Sequence, residues 1–232
     1  MSESKRSLSD SPWVGIGLSL ILPIFVMKKL SGPTALGPLM GMLVALCFPL
    51  INAGLEYRDK KRFGLVPMLG IANVLLTGSI VVLSAGRVWF AVKEAVIPAL
   101  IGVAVLVSQR TEKPLIKSLF LNDQIMNLKL VNESVSKVGA QADFDKEMAR
   151  AGILIGISFF VSAVLNFGFA WFIVTEAPGT EAFNQQVGTM QWTSFVAIMV
   201  CCTSLMMYAL YRVGNLVVKR TGLKWDDILN QK

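Results

Sequence analysis

Two opposite charges stand side by side at the start of an apolar run: Lys93 and Glu94 precede Val96-Ile97-Pro98-Ala99-Leu100. A charged group at the centre of a bilayer costs about 3 kcal/mol even on the milder scales, so such a pair is a functional hypothesis by default. Its chemistry would be the handling of a proton, an ion or a headgroup in an apolar medium. Trp89 is within one turn, so anchoring at the membrane interface is the competing reading. Asn73 and Asn166 sit in the middle of other apolar runs. Buried asparagines either bond across helices, at about 0.6 kcal/mol each, or line a polar route. Lys28, beside Lys29, ends the first apolar run, and Arg212 stands near the end of the last with Tyr208 and Tyr211. Both suit headgroup anchoring, and Lys28 could also recruit an anionic lipid.

What chemistry needs elsewhere is missing from this chain. The sequence has no histidine, so it offers no imidazole base and no zinc site of the usual ligand types. Cys47, Cys201 and Cys202 make no CxxC pair. Adjacent cysteines on a helix point about 100° apart and do not bridge comfortably. No GxSxG elbow and no Walker loop is present. The reading is a protein that is not an enzyme, with no catalytic residues, no metal and no cofactor.

The elements that must position these residues are apolar stretches at Trp13–Leu30, Ala35–Leu55, Gly64–Ser84, Ala91–Gln109, Gly152–Val174 and Thr193–Val218. A helix needs about 20 mostly apolar residues to cross a hydrocarbon layer about 30 Å thick. Lipid offers no partner to an unpaired backbone group, so the spans are helices. Of the 232 residues, 54% are hydrophobic and only 16% charged, against about a quarter charged in soluble domains. Mean hydropathy is +0.61. The expected fold is all-α: a polytopic transmembrane bundle of about six spans, residues 1–232 forming a single integral membrane domain. The first span is the weakest, because Trp13–Met27 has 15 residues and contains Pro23. A re-entrant half-helix is its alternative.

The net charge is +7. Basic residues flank apolar segments rather than clustering on a folded face, which speaks for topology and against nucleic acid. With the N-terminus inside, 17 of the 22 Lys and Arg residues fall in inner segments. The segment Thr175–Gln191, read as an outer loop, has Glu176 and Glu181 and no Lys or Arg. Both termini are therefore expected in the cytoplasm.

The polar segment 110–150 lies between spans 4 and 5. Within it Leu121, Ile125, Leu128, Val131, Val135 and Val138 recur at steps of three and four, which predicts a cytoplasmic amphipathic helix ending at Gly139-Ala140. It could pack under its own bundle, lie on the inner leaflet or dock a partner. The pairs Gly37/Gly41 and Gly152/Gly156 have small-xxx-small spacing, and leave packing within the chain and homo-oligomerisation both open.

The stretch from Phe90 to Leu119 holds an aromatic residue followed by Lys93, then Leu106-Val107-Ser108-Gln109 and Lys113-Pro114-Leu115-Ile116. With Leu22-Pro23, Phe25 and Lys28, with Leu165-Asn166 and Ala170-Trp171, and with Trp192 and Phe195, it resembles the intracellular septation protein A family of bacterial inner-membrane proteins. The 110–150 segment is longer here by about a dozen residues, and Val196 stands where that family often has lysine. The resemblance implies a multi-pass inner-membrane protein in cell-envelope maintenance or septation. Its partners would be membrane lipids and membrane proteins of the division or elongation machinery. The competing class is a small transporter or channel for a solute or lipid, although the two halves of the chain show no sequence repeat of the kind transporters use.

Overall fold

The computed structural model describes residues 17–60, 72–73, 75–80, 83–111, 114–115 and 126–229. Among them the chain is helical, with a lone bridge between Met126 and Leu229 outside the helices. Among the described residues four helices are long and apolar enough to cross a membrane. These are α2 (Gly37–Lys60), α3 (Arg87–Ser108), α5 (Gln141–Ile173) and α6 (Glu181–Thr221). The first expected span begins within the described residues as a π-helical turn, Gly17–Ile21, followed by α1 (Leu22–Phe25) and a second π-turn, Val26–Leu30. Pro23 has no N–H to offer the carbonyl of the preceding turn, and a wider turn lets that carbonyl find a later donor. This described stretch rises only about 20 Å, short of the hydrocarbon thickness. The third expected span falls largely outside the described residues; 72–73 and 75–80 are helical.

The helix α4 (Leu128–Lys137) covers the C-terminal half of the expected stripe, while Leu121 and Ile125 lie outside the described residues. Asn127 caps it, its side chain accepting from the Leu130 N–H at 3.3 Å, and it stops before Gly139, which takes a left-handed φ of +66°. Two helices overrun their expected ends. α5 has 33 residues and α6 has 41, about 50 and 60 Å against a layer of about 30 Å. The region read as an outer loop is helical from Glu181. Thr180 starts that helix, its hydroxyl accepting from the Phe183 N–H at 3.1 Å, and Glu181 complements the helix dipole.

The chain divides into two compact units, Met1–Ile97 with Leu165–Val196, and Pro98–Val164 with Ala197–Lys232. The first unit is built on Val26, Met27, Met42, Phe90, Phe183 and Met190. Phe90 and Phe183 meet edge to face with centroids 5.4 Å apart. The second is built on Met126, Val131, Val135, Phe144, Met148, Val213, Val217 and Ile228. α4 thus lays Val131 and Val135 on its own chain, while Val138 is exposed.

Candidate functional site

In the first unit Lys93 sits on the second turn of α3, about 9 Å from its start. It is 6% exposed. Its ammonium donates to Thr77 Oγ1 at 2.8 Å and to Asn73 Oδ1 at 3.1 Å, and pairs with Glu94 Oε1 at 2.5 Å. Those three partners match the three donors of a lysine. Asn73 and Thr77 are four residues apart and so share a helix face. The Thr77 hydroxyl donates to the Asn73 carbonyl at 2.8 Å, which leaves its lone pairs for the ammonium. The Phe90 ring lies 5.0 Å from Lys93 Nζ, within cation–π range. The Lys93 ammonium turns inward, onto Glu94, Asn73 and Thr77. The adjoining cleft, about 400 Å³, is walled by Leu76, Ile80, Trp89, Val92 and Val96 beside Lys93, so it is apolar. The arrangement holds a buried cation with its counter-charge and hydrogen bonds satisfied.

Arg212 belongs to a second cluster, in the other unit. Its Nε pairs with Glu147 Oε1 at 2.7 Å, and Arg150 Nη1 pairs with Glu147 Oε2 at 3.0 Å. The Glu147 side chain is 9% exposed, against 37% for Arg212 and 52% for Arg150. One buried carboxylate therefore holds two guanidinium groups together at the surface. Next to Arg212, Tyr211 stacks on Trp225 with centroids 6.0 Å apart, and the indole lies so close over Gly214 that a Cβ there would collide with it.

The remaining candidates are Lys28 and Asn166. Lys28 is exposed on the π-turn, its stem lying over Gly188, whose Cβ would come within 2.7 Å of Lys28 Cγ. It lines an open cleft of about 540 Å³ with Lys29, Gln185, Gln186 and Thr189. Asn166 is half-buried on α5. Cys47, Cys201 and Cys202 are free thiols.

Two polar features escaped the sequence reading. Asn184, placed by sequence in an outer loop, is 0% exposed. Its amide donates to Ser31 Oγ at 3.0 Å and to the Pro38 carbonyl at 2.6 Å. Arg87, at the first turn of α3, donates to the Trp171 carbonyl near the end of α5 and lies over that indole, 4.3 Å from its centroid. A cation at a helix C-terminus is favourable there. Compared with known proteins, the chain matches no family model, no curated protein and no solved structure.

Proposed function

We propose that this chain is a multi-pass membrane protein that works by binding other membrane proteins or lipids, in cell-envelope maintenance or septation, and carries out no catalysis. Support for a binding role comes from one observation above all. The buried charges of both clusters are consumed within the chain, Lys93 by Glu94, Asn73 and Thr77 and Glu147 by two arginines. Such pairs hold helices together, whereas a transport path needs polar groups free to exchange with a passenger. The process rests on the resemblance carried by Leu106–Gln109 and Lys113–Ile116. The same resemblance, with the charge distribution, supports a bacterial inner membrane with both termini cytoplasmic.

Deletion of the gene, with scoring of cell shape, septum placement and envelope-stress sensitivity, tests the reading. In-vivo photocrosslinking from exposed positions such as Phe172 and Trp192 identifies the partners. The expected result is an envelope or division defect together with crosslinks to membrane components. Normal envelopes in the deletion strain, with solute flux through proteoliposomes of the purified chain, would replace the binding role by transport.

A further inference from the structure

Four cations of this chain have a carboxylate partner: Lys93 with Glu94, Arg150 and Arg212 with Glu147, and Arg220 with Asp143. Lys28 and Lys29 differ. Among the described residues neither has an ion pair. Both are exposed, and both border the same open cleft of about 540 Å³ in the first unit. Its walls also include Ile173, Gln185, Gln186 and Thr189, and among the described residues no carboxylate. Two positive charges beside one cleft repel each other until an anion joins them. Ile173 is the last residue of α5, and a polar segment follows from Thr175. Under the membrane reading the cleft therefore lies where apolar spans give way to headgroups.

The turn that carries the two lysines is fixed before any ligand arrives. Val26 and Met27, just before them, are buried in one core with Val187 and Met190 of α6. Just after them, Ser31 Oγ accepts from the Asn184 amide at 3.0 Å. The Lys28 stem crosses α6 at Gly188, where a Cβ would stand 2.7 Å from Lys28 Cγ and 3.4 Å from Cδ. The missing side chain at Gly188 thus sets the path of Lys28. The neutral groups of the cleft are engaged within its wall. Gln186 Oε1 accepts from the N–H groups of Thr175 and Glu176 at 2.9 and 3.0 Å, and its amide donates to Thr175 Oγ1 at 3.0 Å. The Gln185 amide donates to Glu181 Oε1 at 2.9 Å, and the Thr189 hydroxyl donates to the Gln185 carbonyl at 3.0 Å. What remains is dominated by donors: one amide hydrogen on each glutamine and the hydrogens of both ammonium groups.

We propose that this cleft binds a phosphate group, held by the ammonium groups of Lys28 and Lys29, with Gly188 as the positioning residue that routes Lys28 to it. A phosphate brings the acceptor oxygens and the counter-charge that the cleft lacks, and lysine engages it as a point charge. The level of the cleft makes the headgroup of an anionic phospholipid its source. This deepens the binding role proposed above. The lipid source rests on the membrane reading, which resistance of the chain to alkaline carbonate extraction tests separately.

The test uses the full chain in neutral detergent and native mass spectrometry. Its probes are inorganic phosphate, and phosphatidylglycerol and phosphatidylcholine having the same acyl chains. Each basic residue near an anionic headgroup contributes about fivefold in binding, so the wild-type chain should retain phosphatidylglycerol over phosphatidylcholine by at least that factor. Lys28→Gln and Lys29→Gln should each remove about fivefold of that preference with the thermal midpoint unchanged, and Lys28→Arg should keep most of it. Lys137→Gln, at an exposed lysine of the other unit, should leave the preference as it is. Gly188→Ala should weaken the preference on its own and add nothing to Lys28→Gln, because it acts through the Lys28 stem. Retention that millimolar inorganic phosphate does not compete away assigns the phosphate to a lipid, and competition assigns it to a soluble ligand of the same site. Equal retention of the two lipids by the wild-type chain, with no binding of inorganic phosphate, would overturn the site. So would a loss in Lys137→Gln equal to that in Lys28→Gln, the mark of bulk charge. Loss of the chain itself on carbonate extraction would instead overturn the membrane reading, and binding of inorganic phosphate would still decide the site.

Discussion

Lys93 shows how a single side chain can be conspicuous in a sequence while its partners stay hidden. Its charge inside an apolar run marked it, together with Glu94 and Asn73. Their meeting was not legible, because Asn73 is 20 residues away on another segment and neighbouring positions on a helix do not face each other. The long lysine stem closes that gap by folding back to Glu94. Breaking a buried pair from one side leaves an uncompensated charge and costs about 3–5 kcal/mol. Glu94→Gln and Lys93→Met are therefore each expected to destabilise the chain by about 3 kcal/mol in denaturing-detergent titrations. The double variant should lose at least about 1 kcal/mol less than their sum, which is the signature of coupled neighbours. Additive losses would mean that the two groups do not depend on each other. Asn184 was hidden for the opposite reason. Among Glu181, Gln185 and Gln186 it reads as one more loop residue, and only the hydroxyl cap at Thr180 followed by Glu181 signalled that a helix begins there.

Among the elements, α2 and α3 were readable from hydropathy because their apolar runs nearly coincide with their helices. α5 and α6 were readable only in part. The amphipathic turns Gln141–Arg150 and Glu181–Met190 continue the helices past the apolar runs, and hydropathy alone does not register them. Glycine positions on α5 separate packing from mere composition. A Cβ at Gly156 would run into the Leu106 side chain on α3, whereas one at Gly168 meets nothing within 4 Å. Gly156→Ala should cost about 1–3 kcal/mol through overpacking. Gly168→Ala should be neutral or stabilising by up to about 1 kcal/mol. Equal effects in thermal melts would deny the close approach of α3 and α5 in this unit. In α4, Val131→Ser and Val135→Ser remove buried apolar groups, each contributing about 1.5–3 kcal/mol, and should lower the amount of protein in the membrane. Val138→Ser, at an exposed position, should leave it unchanged. Normal abundance of all three would show that α4 does not rest on its own chain.

At the scale of the whole molecule, a helical architecture with membrane-capable helices, as the described residues show, was legible from composition, since charged residues at 16% gather between apolar blocks. The count of spans was less so: Pro23 and the short first run blur one end, and four of the described helices meet the length a span requires. The charge bias makes a prediction about orientation. Single cysteines at Ala177 and Lys137, both exposed, in a chain with Cys47, Cys201 and Cys202 replaced by serine, should differ in labelling by an impermeant thiol reagent on cells with a permeabilised outer membrane. Position 177 should label and position 137 should not, and the reverse pattern would invert the topology. The central claim is that the membrane-embedded charges serve structure within a binding protein rather than chemistry or passage. It is tested most directly by complementation of the deletion strain with the Lys93→Met/Glu94→Gln double variant, normalised to the amount of protein in the membrane. Per molecule, the double variant should restore cell shape and envelope resistance as well as the wild-type chain does. A double variant that reaches wild-type abundance and restores nothing would contradict the claim and make the pair a functional centre.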